Sequence, residues 1–135
     1  MRKILTSFDK SRHHIHIELI VTDFKGLNHS VSGILDTGAP MTEFSDLFLI
    51  HTGFIESAKE TSVKSGLQTQ KYGKINLPSI VICGHRIDNM EIFVSYFEKS
   101  WGIDALIGLD FFRRFQITIN YLKANLIVEP YKNGK

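Results

Sequence analysis

The sequence has too few cysteines to be held together by disulfide bonds. Cys83 is the only cysteine among 135 residues, so no intrachain disulfide can form. The absence of disulfides is typical of a reducing compartment, and we therefore expect a cytoplasmic location. No motif surrounds Cys83, which predicts a structural thiol in a turn and not a nucleophile.

Long apolar runs and a strong charge of one sign are also missing. No stretch of about 18 apolar residues is present to span a membrane, and no apolar segment typical of a signal peptide follows the basic start of the chain. The formal net charge is +2, from 16 basic and 14 acidic residues. This balance gives no electrostatic reason to expect a nucleic acid or an acidic membrane as a partner.

The sequence does contain enough apolar residues for a sizeable core. Hydrophobic residues make up 43% of the chain, and the length predicts one domain over residues 1–135. Between residues 15 and 21, every second residue is apolar, starting with Ile15, which is the two-residue period of a β-strand. Asp23–Asn28 is typical of a turn, and the returning segment predicts a second strand with one face formed by Val31, Gly33 and Leu35.

A short helix is predicted after this second strand. Ser45 is a suitable N-cap and Gly53 a suitable stop. Leu47, Phe48 and Ile50 are expected to form its apolar side.

Three hairpins are predicted in the remaining chain. Thr61–Leu77 is typical of a long polar hairpin with its tip near residues 65–67, and later turns are expected at residues 83–85 and 123–124. The apolar run at residues 104–110 leads into a second short helix. The chain is therefore predicted to be mostly β with two short helices, and its many short strands favour a barrel or sandwich.

Asp36-Thr37-Gly38-Ala39 is the strongest candidate for chemistry. A strand that ends at Asp36 would present a carboxylate on a rigid floor, and the Thr37 hydroxyl could bond to neighbouring backbone. Gly38 permits a tight bend that brings backbone N–H groups close to the carboxylate. A purely structural Asp-Gly turn is the alternative, and the tripeptide alone is weak evidence against it.

Two motifs in the correct order resemble those of retropepsin-like aspartic peptidases. Residues 34–42, ILDTGAPMT, are similar to the active-site strand of this family, including a hydroxyl residue at Thr42. About 70 residues later, DALIGLDFFRRF at 104–115 resembles the second family signature. A helix ending in HTGF and a glycine-containing polar hairpin lie between the motifs, as in the family. Residues 117–130 resemble the hairpin that follows the second signature, so the resemblance covers about Ile15 to Glu129.

This resemblance implies a fold and a set of site residues. The fold would be the closed barrel of the acid proteases, with one lobe per chain. Asp36 would be the catalytic carboxylate, and Thr37 would bond to its counterpart in a second subunit. Active-site support would come from Thr37, Gly38 and Ala39, the flap over the substrate from Ser65, Gly66 and Leu67, and packing under the active-site loop from Leu106, Ile107 and Gly108.

The resemblance also implies a homodimer acting on peptides or proteins without a cofactor or metal. Aspartic peptidases use two carboxylates that share one proton and activate a water between them. This chain has one Asp-Thr-Gly, and Asp110 in the second signature is not a substitute for another. Two chains would therefore have to meet at a two-fold axis to complete one site.

Two departures from the retroviral pattern concern the loop and the flap. Retroviral members usually carry an Asp after the alanine and an Arg after the second-signature glycine, and these residues pair. Pro40 and Leu109 occupy those positions here, so that ion pair cannot form and the dimer edge must be built differently. The flap also has only Gly66 at its tip instead of tandem glycines.

Other polar and aromatic residues have simpler interpretations. His14 and His16 would share a strand face at the spacing of a weak chelate, beside His13, but a solvated face is favoured over metal binding. Trp101 is expected to pack in the core more readily than to line a substrate cleft. The adjacent arginines of FFRRF, Arg113 and Arg114, predict a solvated helix side.

Two alternatives to a peptidase remain open at this point. The same fold could serve as a non-catalytic dimerisation or peptide-binding module. A small β-barrel binding protein with an accidental Asp-Thr-Gly turn is a further alternative, which the second signature disfavours.

Overall fold

The computed structural model describes residues 2–56 and 71–132. Strands dominate this part of the chain, as predicted, and two short α-helices interrupt them. The strands are β1 (Ile4–Ser7), β2 (Ile15–Thr22), β3 (Asn28–Leu35), β4 (Glu43–Ser45), β5 (Lys71–Ile82), β6 (His85–Ser95), β7 (Ala105–Ile107), β8 (Gln116–Asn120) and β9 (Asn125–Glu129). The helices are α1 (Asp46–His51) and α2 (Leu109–Phe112), with a 3₁₀ turn at Lys99–Trp101.

Six strands close into a barrel in the order β2-β3-β7-β4-β6-β5. Antiparallel pairing of β2 with β5 completes the ring. The remaining strands form a separate sheet in the order β1-β9-β8. The predicted closed barrel is therefore confirmed, while strand β1 was not anticipated, since its partner β9 lies more than a hundred residues away in sequence.

The alternation seen in the sequence determines which side of β2 and β3 faces the core. Every second residue of β2, from Ile15 to Val21, is buried. On β3, Val31, Gly33 and Leu35 are buried, as predicted. A side chain at Gly33 would lie 3.1 Å from the Ala105 carbonyl oxygen, so glycine lets β3 and β7 pack closely.

The boundary between the first two predicted hairpins is wrong. One continuous strand, β5, runs through Pro78 and pairs with β6 along its length. Pairing resumes on both sides of Pro78, at Leu77 with Met90 and at Ser79 with Asp88. Pro78 has no N–H to donate to the β-ladder, but the paired residues directly before and after it keep β5 bound to β6. The predicted hairpin tip at residues 65–67 lies outside the described residues.

The predicted turn between β5 and β6 is confirmed. Cys83 and Gly84 both have positive φ, 50° and 80°, as favoured two-residue hairpin loops require. Cys83 is buried, and this burial raises the pKa of its thiol to about 11. A thiol that ionises so weakly is structural and not a nucleophile at neutral pH.

Helix α1 begins and ends as predicted but buries a different residue. The Ser45 hydroxyl accepts a hydrogen bond from the Phe48 N–H (3.3 Å), and Gly53 follows the helix with φ of +81°. Leu49 is fully buried, whereas Leu47 is 39% exposed. All four residues from 47 to 50 are apolar, so contact with the barrel, and not the pattern, selects the buried face.

No helix in residues 2–56 and 71–132 is long and apolar enough to cross a membrane.

Candidate active site

The backbone of β7 holds the end of β3. The two strands are parallel neighbours, with Leu35 paired to Ile107. The Asp36 N–H donates to the Ile107 carbonyl oxygen (2.8 Å), which extends this pairing by one residue. A residue of the second signature, Ile107, therefore fixes the position of Asp36 at the end of β3.

The turn after Asp36 closes on the Asp36 side chain. The Gly38 N–H donates to Asp36 Oδ1 (2.8 Å), and the Ala39 N–H donates to the Asp36 carbonyl oxygen (3.1 Å). A side chain at Gly38 would lie 3.1 Å from Oδ1. Asp36 is half-buried, Thr37 and Gly38 are exposed and Ala39 is buried. The carboxylate is thus presented at the surface on a turn anchored underneath.

Gly108 passes directly under this turn. A Cβ at Gly108 would lie 2.6 Å from the Ala39 carbonyl oxygen and 2.8 Å from the Met41 carbonyl carbon. Such distances leave no room for any side chain, since the atoms it would meet belong to backbone. The Leu109 N–H then donates to the Ala39 carbonyl oxygen (2.8 Å), which joins α2 to the turn.

Thr42 and Asp110 add a polar brace that the sequence analysis missed. The Thr42 hydroxyl donates to Asp110 Oδ1 (2.7 Å), and the Thr42 N–H donates to Asp110 Oδ2 (3.0 Å). Thr42 Oγ1 also accepts from the Gly108 N–H (3.2 Å). Two features of the sequence could have indicated this brace: Thr42 at the end of the first motif, and Asp110 two residues after Gly108. This brace ties the loop to α2 within one chain, although the retroviral ion-pair positions hold Pro40 and Leu109.

Asp36 opens onto a cavity of about 420 Å³. Its apolar walls come from β3, from β7 and from the segment that precedes β7. The lining residues are His14, His16, Ile34, Asp36, Trp101, Ile103 and Leu106. Of the predicted second-signature residues, Leu106 therefore lines the cavity, while Ile107 belongs to the core and Gly108 lies under the turn.

Trp101 is not the core residue that the sequence analysis favoured. It is 44% exposed, and its ring packs edge-on against Phe97 with a centroid separation of 5.5 Å. The 3₁₀ turn at Lys99–Trp101 places it at the cavity because Gly102 ends the turn with φ of 67°. This placement depends on a loop conformation that has no periodic sequence pattern.

His14 and His16 both line the Asp36 cavity, although they do not share a strand face as predicted, because β2 begins at Ile15 and His14 precedes it. His14 is exposed, whereas His16 is half-buried and also lines a second cavity. Burial, then the positive charges of Arg12 and His14, lower the pKa of His16, and Asp9 partly opposes them. Within residues 2–56 and 71–132, no three His, Cys, Asp or Glu side chains form a metal-binding group.

The remaining predicted residues lie away from the cavity or outside the described chain. Arg113 and Arg114 are exposed, and Arg114 Nε donates to the Asp110 carbonyl oxygen (3.0 Å). The predicted solvent exposure is therefore confirmed, but the predicted helix side is wrong because α2 ends at Phe112, before both arginines. The predicted flap residues, Ser65, Gly66 and Leu67, are outside the described residues.

Comparison with known proteins identifies the fold. No protein-family model and no curated protein matches the sequence. A retropepsin-like aspartic protease from Rickettsia conorii superposes with a TM-score of 0.70 at 23% identity, covering 94% of this chain and 90% of that one. The retroviral protease-like domain of Ddi1 from Leishmania major gives a TM-score of 0.62 at 17% identity, over 90% of this chain and 97% of that one. The chain therefore has the retropepsin-like fold, as the two sequence motifs predicted.

Proposed function

We propose that the protein is a homodimeric aspartic endopeptidase in which Asp36 of each subunit supplies one of two catalytic carboxylates. The observation that carries the proposal is the position of Asp36. Its backbone is bonded to β7 and its turn is supported by Gly108, yet its carboxylate opens onto a cavity. A rigidly held carboxylate at a substrate-sized cavity is the arrangement that general acid–base chemistry requires.

Two such carboxylates would divide the work of hydrolysis between them. Close carboxylates repel when both are charged, so the pair retains one proton. The charged member takes a proton from a water as that water attacks the scissile carbonyl carbon. The protonated member donates to the carbonyl oxygen, which gives a tetrahedral intermediate. The carboxyl that took the water's proton then gives it to the leaving nitrogen, and the C–N bond breaks. As the carboxylic acid product forms, one hydroxyl of the intermediate returns its proton to the other carboxylate, which restores the pair.

The exposed tip of the turn supports the dimer. Thr37 and Gly38 are both exposed in the single chain, although they adjoin the carboxylate. Pairing of two such turns around a two-fold axis would cover them and bring the two Asp36 side chains together. Thr37 would bond to its counterpart and brace the pair, and Ser65, Gly66 and Leu67 would cover a peptide bound as an added strand.

Peptide-library profiling from acid to neutral pH tests the activity, with the Asp36→Asn protein as the control. We expect cleavage by the wild type alone. Sedimentation equilibrium at micromolar concentrations tests assembly, and we expect a dimer for both proteins. A strictly monomeric wild type that cleaves peptides would contradict the shared site.

Subunit mixing provides a sharper test of the shared site. Wild-type protein is mixed with an equal amount of the Asp36→Asn protein and the subunits are allowed to exchange. If each site needs two Asp36 carboxylates, the activity should fall to about half, because about half of the wild-type chains enter inactive mixed dimers. Sites that belong to single chains would keep full activity in the same mixture.

A peptide-binding module is the second candidate. The cavity next to Asp36 would serve binding as well as hydrolysis, and its apolar walls are typical of ligand pockets. Saturable binding of peptides by the wild type, without cleavage at any pH, would favour this function.

A further inference from the structure

His16 lies between two cavities, and within residues 2–56 and 71–132 its ring makes one hydrogen bond, with Arg12. The first cavity contains Asp36. The second, of about 660 Å³, is lined by residues that include Arg12, Glu18 and Ser32. His16 is the one residue that both cavities share among the described lining residues, so its ring lies at the boundary between them.

Arg12 determines which nitrogen of His16 carries hydrogen. Arg12 Nη1 lies 3.0 Å from His16 Nδ1. A guanidinium can only donate, so Nδ1 must accept and the neutral ring carries its hydrogen on Nε2. Arg12 Nε also lies 3.9 Å from Asp9 Oδ2, and the Ser11 hydroxyl donates to Asp9 Oδ1 (2.6 Å).

The surroundings of His16 favour this neutral form. Burial of the ring and the nearby positive charges of Arg12 and His14 lower its pKa. Arg12 lies against Nδ1, so Nε2–H is the group of the His16 ring that remains for a ligand. His16 therefore brings a hydrogen-bond donor to a cavity whose other walls are mostly apolar.

We infer that the Asp36 cavity is a specificity pocket for tyrosine, in which His16 Nε2–H donates to the tyrosine hydroxyl oxygen. The inference rests on the proposed function in taking a peptide as the ligand. Ile34, Ile103, Leu106 and Trp101 provide an apolar surround for an aromatic ring, and Trp101 is partly exposed there. Tyrosine combines a large apolar body with a polar tip that can accept a hydrogen bond.

Competing side chains match the cavity less well. Phenylalanine fills the apolar space but leaves the His16 donor without a partner, and a buried donor without a partner is costly. A glutamate could accept the hydrogen bond, but its charge would lie in the same cavity as Asp36, and like charges repel. Tyrosine satisfies the donor without adding a charge.

Two blocked hexapeptides test the selectivity directly. One is Ala-Ala-Tyr-Ala-Ala-Ala and the other carries Phe in place of Tyr, so each has a single aromatic side chain. We expect wild-type kcat/KM to favour the Tyr peptide by about tenfold, within the range for one unsatisfied donor. His16→Leu should bring the ratio close to one by slowing only the Tyr peptide. A merely structural role for His16 would slow both peptides equally.

Three further variants separate the hydrogen bond from packing. His16→Gln retains a donor and should keep a preference for Tyr. Arg12→Leu acts outside the Asp36 cavity, yet it should reduce the preference because His16 loses the partner that holds Nδ1 as an acceptor. His13→Leu is the matched control, since His13 is exposed and lines neither cavity.

Binding to the Asp36→Asn protein separates this inference from the proposed activity. Trp101 is the only tryptophan in the chain, so its fluorescence reports occupancy of the cavity. We expect the Tyr peptide to bind about tenfold more tightly than the Phe peptide, and His16→Leu in this background to abolish the difference. Nitrogen-15 NMR of the histidine rings should show His16 as the Nε2–H tautomer, and should show a change in that tautomer in Arg12→Leu.

The outcomes distinguish the two proposals. Cleavage without any preference for Tyr would overturn the pocket assignment and leave the peptidase intact. Tyr-selective binding that depends on His16, without cleavage by the wild type, would overturn the peptidase and leave the pocket. Equal binding of the two peptides, failure of both to bind, or an Nδ1–H tautomer for His16 would each overturn the pocket assignment.

Discussion

The turns after β2 and β3 both begin with an aspartate at the end of a buried strand, but they use it differently. Asp23 accepts hydrogen bonds from the backbone N–H groups of Lys25 (2.8 Å) and Leu27 (2.9 Å). Its second oxygen lies 2.8 Å from His29 Nε2. The Asp23 side chain is only 9% exposed, and every one of these partners lies within six residues of it.

Asp36 has fewer partners at its carboxylate and more distant ones at its backbone. Among the described residues its side chain accepts a single hydrogen bond, from the Gly38 N–H. The supports of its turn come from Ile107 to Asp110, about 70 residues further along the chain. A carboxylate such as Asp23, with hydrogen bonds to both oxygens inside one short turn, is structural. A carboxylate such as Asp36, with one hydrogen bond and a turn supported from elsewhere, is available for chemistry. The following variants test this distinction.

Exchanging each carboxylate for an amide should produce opposite results. We predict that Asp36→Asn lowers kcat/KM by at least about 100-fold, because Asn cannot transfer or share the proton, while thermal stability stays close to that of the wild type. Asp23→Asn should keep its activity when folded and lose stability, because it exchanges a charged acceptor for an amide. Peptide-cleavage kinetics and thermal melts of both variants measure the two effects. Wild-type turnover by Asp36→Asn would remove the distinction between the two turns.

Gly108→Ala should break the distant support of the Asp36 turn. The new methyl would meet backbone atoms of Ala39 and Met41 at 2.6–2.8 Å, so we predict a loss of about 3 kcal/mol in the free energy of unfolding, at the upper end for overpacking. Denaturant unfolding measures this loss. Gly26→Ala is the matched control in the Asp23 turn, because its methyl meets nothing within 4 Å. Because φ at Gly26 is +86°, we still expect Gly26→Ala to lose about 1–2 kcal/mol in the free energy of unfolding. Equal losses in the two variants would argue against a crowded support under Asp36.

Thr42→Val should weaken the same support without adding bulk. It removes the hydroxyl that donates to Asp110 and accepts from Gly108, at a fully buried position. We predict a loss of about 1–2 kcal/mol in stability, together with a lower kcat at unchanged dimerisation. Thr22→Val is the control, since its hydrogen bond to Asn28 is exposed, and it should cost less than about 0.5 kcal/mol. A Thr42→Val protein as stable as the control would show that the brace is dispensable.

The smallest expected effect is a pH dependence of stability that comes from the Asp23 turn. The hydrogen bond with His29, then those from the backbone, lower the pKa of Asp23. A lowered folded-state pKa stabilises the protein above the ordinary Asp value of about 3.9, and this stabilisation is lost as the pH falls through the folded-state pKa. The difference in melting temperature between wild type and Asp23→Asn should therefore shrink from pH 7 towards pH 3. A difference that stays constant over this range would contradict the role of the Asp23 charge.

The Asp23 turn illustrates what could be predicted from sequence. Its partners are near neighbours, so the turn residues themselves indicated it, and the alternation along β2 similarly indicated which side of that strand is buried. The positive φ values at Cys83 and Gly84 likewise follow from a two-residue hairpin loop. The resemblance to retropepsin-like peptidases, carried by two short motifs, predicted the fold that the comparisons then showed.

The surroundings of Asp36 could not be predicted in the same way. Thr42 and Asp110 are 68 residues apart, and no local pattern indicates that their side chains meet. Trp101 was expected in the core but lies at the cavity, where an irregular loop places it beside the histidines of β2 and the turn before it.

The sequence by itself determined β2, β3, the turns at Asp23 and Cys83 and the candidate carboxylate, because these depend on spacing along the chain, on contacts between near neighbours and on a short motif. The tertiary structure alone decided that Leu49 faces the core, that β1 pairs with β9, and that His16 and Trp101 share a cavity with Asp36. The physical reason is that closing the barrel brings together residues far apart in sequence. Which of these residues meet depends on strand register and loop conformation throughout the molecule.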